Sequence, residues 1–271
     1  MLRRNKMEKQ YTLMPEVHEE IARELYKAEK ENSPIPLITS KYPDLTTDDA
    51  YAIQQFGLEL RTSDGSKVIG RKVGITSRGM MKMLNCDSPD FGYLLANTEI
   101  IEGSPCDISN MNAPMIEGEL AFVIGDDLIG ESITVADITS AISWVIPCFE
   151  ICDTRYYDWK VTVPDTIADN AAAGRFMLGT HPKKLSEINP KSIGMVIEKN
   201  GSLLGTGTGA EVMGSPITSV TWLAKKLMEY GTYLKKGNIV LSGSFLAGDP
   251  ISSGDIYTLT LDGFTPLTIK F

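Results

Sequence analysis

The chain has 271 residues, 42% hydrophobic and 23% charged, the composition of a soluble globular protein with one large domain or a domain plus a smaller attachment. A formal net charge of −9 argues against nucleic acid or an anionic membrane as partner, because phosphate recognition needs clustered cations. No apolar run approaches the roughly 20 residues that span a bilayer. Met1–Gln10 is charged and leads into no apolar core, so a cytoplasmic protein without a signal peptide is expected.

The first sixty or so residues pattern as helices. Val17, Ile21, Leu25 and Ala28 form one apolar stripe after Pro15, and Ala50, Ile53, Gly57 and Leu60 form a second. Thr46 or Thr47 followed by Asp48 and Asp49 is a helix start, and Asn32–Pro36 is the loop between the two. From Lys67 the texture changes to short β-like runs. Lys67–Ile75 predicts a strand, followed by a short helix over Arg78–Leu84 capped by Thr76 or Ser77. Strands are expected at Glu117–Ile124 and Trp144–Ile151, with a helix near Val135–Ile142 between them. Asn200-Gly201 marks a hairpin after Ile193–Glu198. Ser215-Pro216 opens a helix whose apolar face is Val220, Leu223 and Leu227 and which stops at Gly231. The chain ends in strands that include Ile239–Leu241 and Tyr257–Leu261. The pattern divides the chain into a helical region over 1–65 and a β-rich region over 66–271.

Three glutamates sit inside apolar strands. Glu117 and Glu119 interrupt Met115–Ile124, and Glu150 interrupts Val145–Ile151. Strand alternation places Glu117 and Glu119 on one face with Ala121 and Val123, and Glu150 on a face with Ile146 and Cys148. A Glu-x-Glu pair alone is more often the solvated face of a half-buried sheet. If the faces are buried, the carboxylates need a cation, and hard ions such as Mg²⁺ or Mn²⁺ prefer oxygen ligands. Lys72 shares a face with Gly70 and Gly74, which fits a partly buried cation beside a ligand; Arg71 reads as a solvated neighbour. Asp90 lies in Pro89-Asp-Phe-Gly92, residue types that favour a tight turn, and the other kinase motifs that accompany Asp-Phe-Gly are missing. Gly205-Thr-Gly-Thr-Gly209 reads as a glycine-rich connection rather than a dinucleotide loop.

The four cysteines, Cys86, Cys106, Cys148 and Cys152, show no Cys-x-x-Cys spacing and are expected to be reduced. Cys148 and Cys152 flank Glu150, so a thiolate could join that site. The two histidines, His18 and His181, lie far from the acidic strands, which disfavours a zinc site or a His-activated nucleophile.

Taken together, Lys72–Ser77, Pro89–Gly92, Ile116–Phe122, Val145–Arg155, Asp158-Trp159, Asp165–Asn170, Thr221–Ala224 and Leu241–Ser244 resemble the 2-keto-4-pentenoate hydratase and 4-oxalocrotonate decarboxylase group of the fumarylacetoacetate hydrolase superfamily. The resemblance covers nearly the whole chain. It implies an α+β fold, with a β-rich fumarylacetoacetate hydrolase-like core and a smaller helical N-terminal region. It implies that Glu117, Glu119 and Glu150 hold Mg²⁺ or Mn²⁺, with Lys72 and Asp90 facing the substrate as proton-transfer groups. Asn170 matches the stretch closing over the pocket, and Ser244 a small hydroxyl residue near the substrate carboxylate. Where many members carry two serines after Asp-Asn-Ala, this chain has Ala172 and Ala173.

The function implied is a lyase of aromatic-compound catabolism that hydrates 2-hydroxypenta-2,4-dienoate, working as a homo-oligomer on a small 2-oxo or 2-hydroxydienoic acid. Asp158-Trp159 and Trp222 resemble the hydratases. Arg175-Phe176 resembles the decarboxylases, and Arg175 could bind a second substrate carboxylate. Decarboxylation of 2-oxo-3-hexenedioate is therefore the alternative, with a non-catalytic metal-stabilised protein a more distant one.

Overall fold

The computed structural model describes residues 9–130 and 132–271, so most of the charged stretch Met1–Gln10, and the start of the expected helical region, lie outside the described residues. The N-terminal layer comprises α1 (Pro15–Glu31), a single turn α2 (Ile38–Lys41) and α3 (Thr47–Ser63). Pro15 stands at the first turn of α1, where its missing N–H costs nothing, and Ile21, Ala22, Leu25 and Ala28 point inward. Thr46 caps α3. Its hydroxyl accepts from Asp49 N while the Asp49 carboxylate accepts from Thr46 N, a reciprocal capping box. The same carboxylate accepts from Thr12 and lies 2.7 Å from His18 Nε2, which ties α1 to the start of α3.

The remainder runs β1 (Val68–Gly74), α4 (Arg78–Met83), β2 (Asp90–Leu95), β3 (Glu99–Ile100), β4 (Met115–Ile124), α5 (Val135–Ala141), β5 (Ile142–Cys152), α6 (Val163–Ala168), β6 (Ala173–Leu178), β7 (Gly194–Lys199), β8 (Ser202–Thr208), α7 (Pro216–Glu229), β9 (Ile239–Leu241), β10 (Asp249–Pro250), β11 (Ile256–Leu261) and β12 (Leu267–Lys270). One mixed sheet has the order β2-β1-β9-β4-β5-β6-β3, with β10 paired to β4. In it β1 and β9, and β3 and β6, are parallel. A second, antiparallel sheet has the order β12-β11-β7-β8. This is the α+β fold expected, with its helical N-terminal region.

The two sheets pack through β4. A Cβ at Gly118 would stand 2.8 Å from Ile197 Cδ1 and 3.1 Å from Leu259 Cδ1, so glycine leaves these side-chain tips room to pack directly on β4. Ile116, Leu120, Phe122, Phe149 and Ile151 enter this main hydrophobic cluster together with Met195, Ile197 and Leu259. Ile21, Leu25, Ala50 and Ile53 from the N-terminal helices belong to the same cluster. The opposite face of β4 and β5 carries the acidic residues beside a small cluster of Ala121, Ile146, Cys148, Phe176 and Leu241.

Three local expectations change. Asp90 opens β2 rather than a tight turn, since pairing of Gly74 with Asp90, Val73 with Phe91 and Lys72 with Gly92 draws Asp90-Phe-Gly92 onto the edge of β1. The glycine-rich stretch from Gly205 lies mostly within β8, where a Cβ on Gly207 would come within 2.5 Å of Phe245 O; the glycines serve close packing, not a loop. Arg71 is buried at 7% exposure instead of solvated. Ser77, not Thr76, caps α4 by accepting from Met80 N.

Candidate active site

The antiparallel register of β4 and β5 sets Glu117 directly opposite Glu150, Glu119 opposite Cys148 and Met115 opposite Cys152. Partners in register point the same way, so all three glutamates and both cysteines share one face. Most of that face is withdrawn from water, with Glu117 half-buried. Glu119 and Glu150 are each 1% exposed. Ligand atoms of Glu117, Glu150 and Cys152 lie within 4.8 Å of one another, and Glu119 extends the same row by one pleat.

Lys72 reaches this face from β1. Its Nζ is 3.0 Å from Glu150 Oε1 and donates a hydrogen bond to Ala171 O at 2.9 Å. Asp90, on the paired strand, is buried too; its Oδ2 accepts from Thr166 Oγ1 at 2.9 Å. Gly74 makes room for both groups: a Cβ there would fall 2.3 Å from Asp90 Oδ1 and 3.5 Å from Lys72 Nζ.

The electrostatics follow from burial. Loss of water, then repulsion from Glu150, pushes the Glu117 carboxyl up to about 7. The same two causes hold Glu119 well above the usual carboxylate range. Burial raises Glu150 and Asp90 as well, with Lys72 acting against it in both cases. Burial alone would lower Lys72, but the Cys152, Glu150, Glu117 and Asp90 side chains around it hold it well above its ordinary value. One ammonium therefore faces four acids. Among the described residues, Asp90 Oδ1, Glu119 Oε1 and both Glu150 oxygens are buried without an aligned hydrogen bond. Orphaned oxygens of this kind are rare in folded proteins and call for a ligand. Oxygen donors converging from neighbouring strands fit a hard divalent cation.

A strained turn closes over the cluster. Asn170, Ala171 and Ala172 have φ of 54°, 52° and 55°, a run of left-handed residues with no glycine among them. Such residues persist only when surroundings over-determine them. Here Asn170 clamps β2, accepting from Tyr93 N at 2.8 Å and donating to Tyr93 O at 3.1 Å. Buried Arg155 pairs with Asp169 just before the turn. The result aims the Ala171 carbonyl at Lys72.

Ser244 and Arg175 stand apart from this core. Ser244 Oγ donates to Leu246 O at 2.6 Å within its own turn. Arg175 pairs across β5 with Ile151, whose side chain enters the main hydrophobic cluster, so the guanidinium turns from the glutamate face and donates to Asn110 Oδ1 at 2.7 Å. The cavity that touches Glu150, Asn170 and Arg175 is only about 20 Å³, room for a water rather than a substrate arm.

A family model described as fumarylacetoacetate (FAA) hydrolase C-terminal matches residues 69–271. The chain belongs to the fumarylacetoacetate hydrolase family. It is 37% identical over 249 residues to 2-hydroxyhexa-2,4-dienoate hydratase of Comamonas testosteroni, covering 91% of this chain and 94% of the relative. It is 42% identical over 213 residues to 2-hydroxypent-2,4-dienoate hydratase of Pseudomonas putida, covering 78% and 96%. Among solved structures, 4-oxalocrotonate decarboxylase from Pseudomonas putida G7, complexed with magnesium and adipate, superposes with a TM-score of 0.94 at 32% identity, covering 97% of this chain and 100% of that one.

Three contributors to this family member's site escaped the sequence reading. Thr166 fixes one oxygen of Asp90. The Ala171 carbonyl orients Lys72. The Gly243 amide donates to Glu119 Oε2 at 2.7 Å. Gly243 has φ 112°, and a Cβ there would meet Thr76 Oγ1 at 2.3 Å, so glycine is required for that amide to reach the carboxylate. Two of the three act through backbone atoms, which every residue carries, and so leave no side-chain signature.

Proposed function

We propose that the chain is a divalent-cation-dependent hydratase that converts 2-hydroxypenta-2,4-dienoate into 4-hydroxy-2-oxopentanoate. The observation that carries this reading is the cluster of acids around Lys72 in which Asp90, Glu119 and Glu150 each keep at least one buried oxygen with no hydrogen bond among the described residues. Glu117, Glu119 and Glu150 are the residues that would hold Mg²⁺ or Mn²⁺. Bound there, the cation would act as a Lewis acid toward the carboxylate and 2-oxo oxygens of the substrate.

The rest is proton management by this chain's side chains. Ketonisation takes the proton from the 2-hydroxyl and places one on C5, leaving an α,β-unsaturated ketone. Water then adds its oxygen at C4 and a proton arrives at C3. Asp90, raised by burial and still holding one free oxygen, suits the group that accepts the hydroxyl proton. Lys72, kept cationic by the acids around it, suits the group that donates toward carbon. Asn170 and the turn it anchors keep Lys72 aimed and limit access of bulk water. Ser244 follows Gly243, whose amide donates to Glu119 Oε2.

The second reading is decarboxylation of 2-oxo-3-hexenedioate. It is favoured by the close superposition on a decarboxylase bound to adipate, a diacid. Against it, the Arg175 side chain is directed to the opposite sheet face. Arg175→Leu separates the two: turnover of the five-carbon dienoate should be little changed, whereas a diacid-specific enzyme relying on this guanidinium should lose about a hundredfold. Metal dependence is tested by chelation. Dienoate turnover should vanish in the stripped protein and return with Mg²⁺ or Mn²⁺; unaltered turnover after stripping would refute the cation's role.

A further inference from the structure

Arg71 and Lys72 are successive residues of β1 and therefore face opposite sides of the sheet. Lys72 enters the acidic cluster, whereas Arg71 lines a separate cavity of about 530 Å³. The walls are aromatic: Tyr51 stacks on Phe91 with ring centroids 4.6 Å apart, and Tyr230 packs at 4.6 Å against Tyr51. Tyr51 and Phe91 are buried, so this is a recess in the fold and not a flat surface.

The guanidinium at this recess is under-compensated. Arg71 is 7% exposed; Nη1 donates to Gly70 O at 2.8 Å, and the guanidinium carbon lies 4.2 Å from the Tyr93 ring centroid. Among the described residues its buried Nε has no hydrogen-bond partner and Arg71 makes no ion pair. Glu59, the acid among the lining residues, is exposed. A desolvated, unpaired guanidinium is costly, and a carboxylate is its best bidentate partner. The volume lies within the range of small-molecule sites.

We propose that this cavity is a second ligand site, separate from the acidic cluster, that takes a small aromatic monocarboxylate with its carboxylate on Arg71 and its ring against Tyr51, Phe91 and Tyr230. Glu59 at the rim disfavours a second negative charge, which limits the class to monoacids. The occupant would rest behind the two strands that present Lys72 and Asp90, and so would not compete with a 2-oxo acid.

Benzoate is the probe, titrated calorimetrically into the Mg²⁺-loaded full chain, with pyruvate as the competing 2-oxo acid. The expected result is one benzoate per chain, bound equally well with saturating pyruvate and in Glu150→Gln. Arg71→Leu should weaken it about tenfold or more through loss of the charged hydrogen bonds. Gln55→Trp, which narrows the cavity without touching Arg71, should weaken it as well, and this variant decides the matter if Arg71→Leu does not fold. Failure of wild type to bind benzoate overturns the proposal. So does benzoate displaced by pyruvate or lost in Glu150→Gln, which places it in the acidic cluster, and so does binding unaffected by Gln55→Trp. If wild type binds no benzoate and Arg71→Glu lowers the sedimentation coefficient, a second copy of the chain covers the recess instead.

Discussion

Glu119 and Glu150 are almost wholly withdrawn from water, and carboxylates so placed stay protonated unless a cation shares the site. Lys72 supplies one positive charge against Asp90, Glu117, Glu119 and Glu150, which leaves three carboxylates uncompensated and room for a divalent ion. Glu117→Gln, Glu119→Gln and Glu150→Gln should each weaken Mn²⁺ binding while preserving the fold, as read by calorimetry and circular dichroism; unchanged Mn²⁺ affinity in all three would sink the assignment. Lys72→Met and Asp90→Asn should instead keep the metal and lose turnover by about a hundredfold or more, the scale of a lost general acid or base. The glutamates could be read in the sequence because strand alternation is a strict rule and an acid in an apolar strand breaks it. Arg175 shows the limit of that reading. Its charge is visible in the sequence, but its facing depends on pairing with Ile151 rather than with Glu150, a register that spacing does not reveal.

Helices α1 and α3 are joined by a network centred on Asp49, which is fully buried and accepts from Thr46, Thr12 and Leu13 beside His18. Burial opposes its ionisation, but hydrogen bonds from Thr46, Thr12 and His18 outweigh it and hold the carboxyl well below the usual range. A depressed carboxylate contributes stability that is complete above its ordinary value of about 4 and is lost as pH falls below that, through the folded value. Asp49→Asn should therefore destabilise the protein by about 1–3 kcal/mol at neutral pH. The gap to wild type should narrow in urea melts near pH 3; a gap independent of pH would contradict the network's charge. The β4 layer offers a second check. Gly118→Val would drive a side chain into Ile197 and Leu259 and should lower stability by about 1–3 kcal/mol, seen as a reduced melting temperature. Helices were legible at this scale because caps and stripes are local: Thr46, Ser77 and Ser215 each announce a start. Strand β2 was not, and β8 was legible only where it leaves the Asn200-Gly201 hairpin and not in its glycine-rich end, because their prolines and glycines carry turn propensity that partners distant in sequence override: β1 for Asp90, and the Phe245 segment for Gly207.

Among the described residues no helix is long and apolar enough to cross a membrane, so the exposed apolar residues need another explanation. The register of β7, β8 and β11 gathers Val196, Leu203 and Ile256 on one face of the second sheet, at 36%, 66% and 40% exposure. Such a face beside the edge strand β8 is suited to self-association. We expect a homo-oligomer, with Leu203→Asp shifting it toward monomer in analytical ultracentrifugation; a wild-type monomer at micromolar concentration would count against this. The reaction itself is decided by a single comparison: the Mg²⁺-loaded protein supplied separately with 2-hydroxypenta-2,4-dienoate and with 2-oxo-3-hexenedioate, following dienoate consumption in one and carbon dioxide release in the other. The account predicts faster hydration of the five-carbon dienoate, with 4-hydroxy-2-oxopentanoate as product. Carbon dioxide released from the diacid much faster than the dienoate is hydrated would contradict it, and would make the chain a decarboxylase built on the same acidic site.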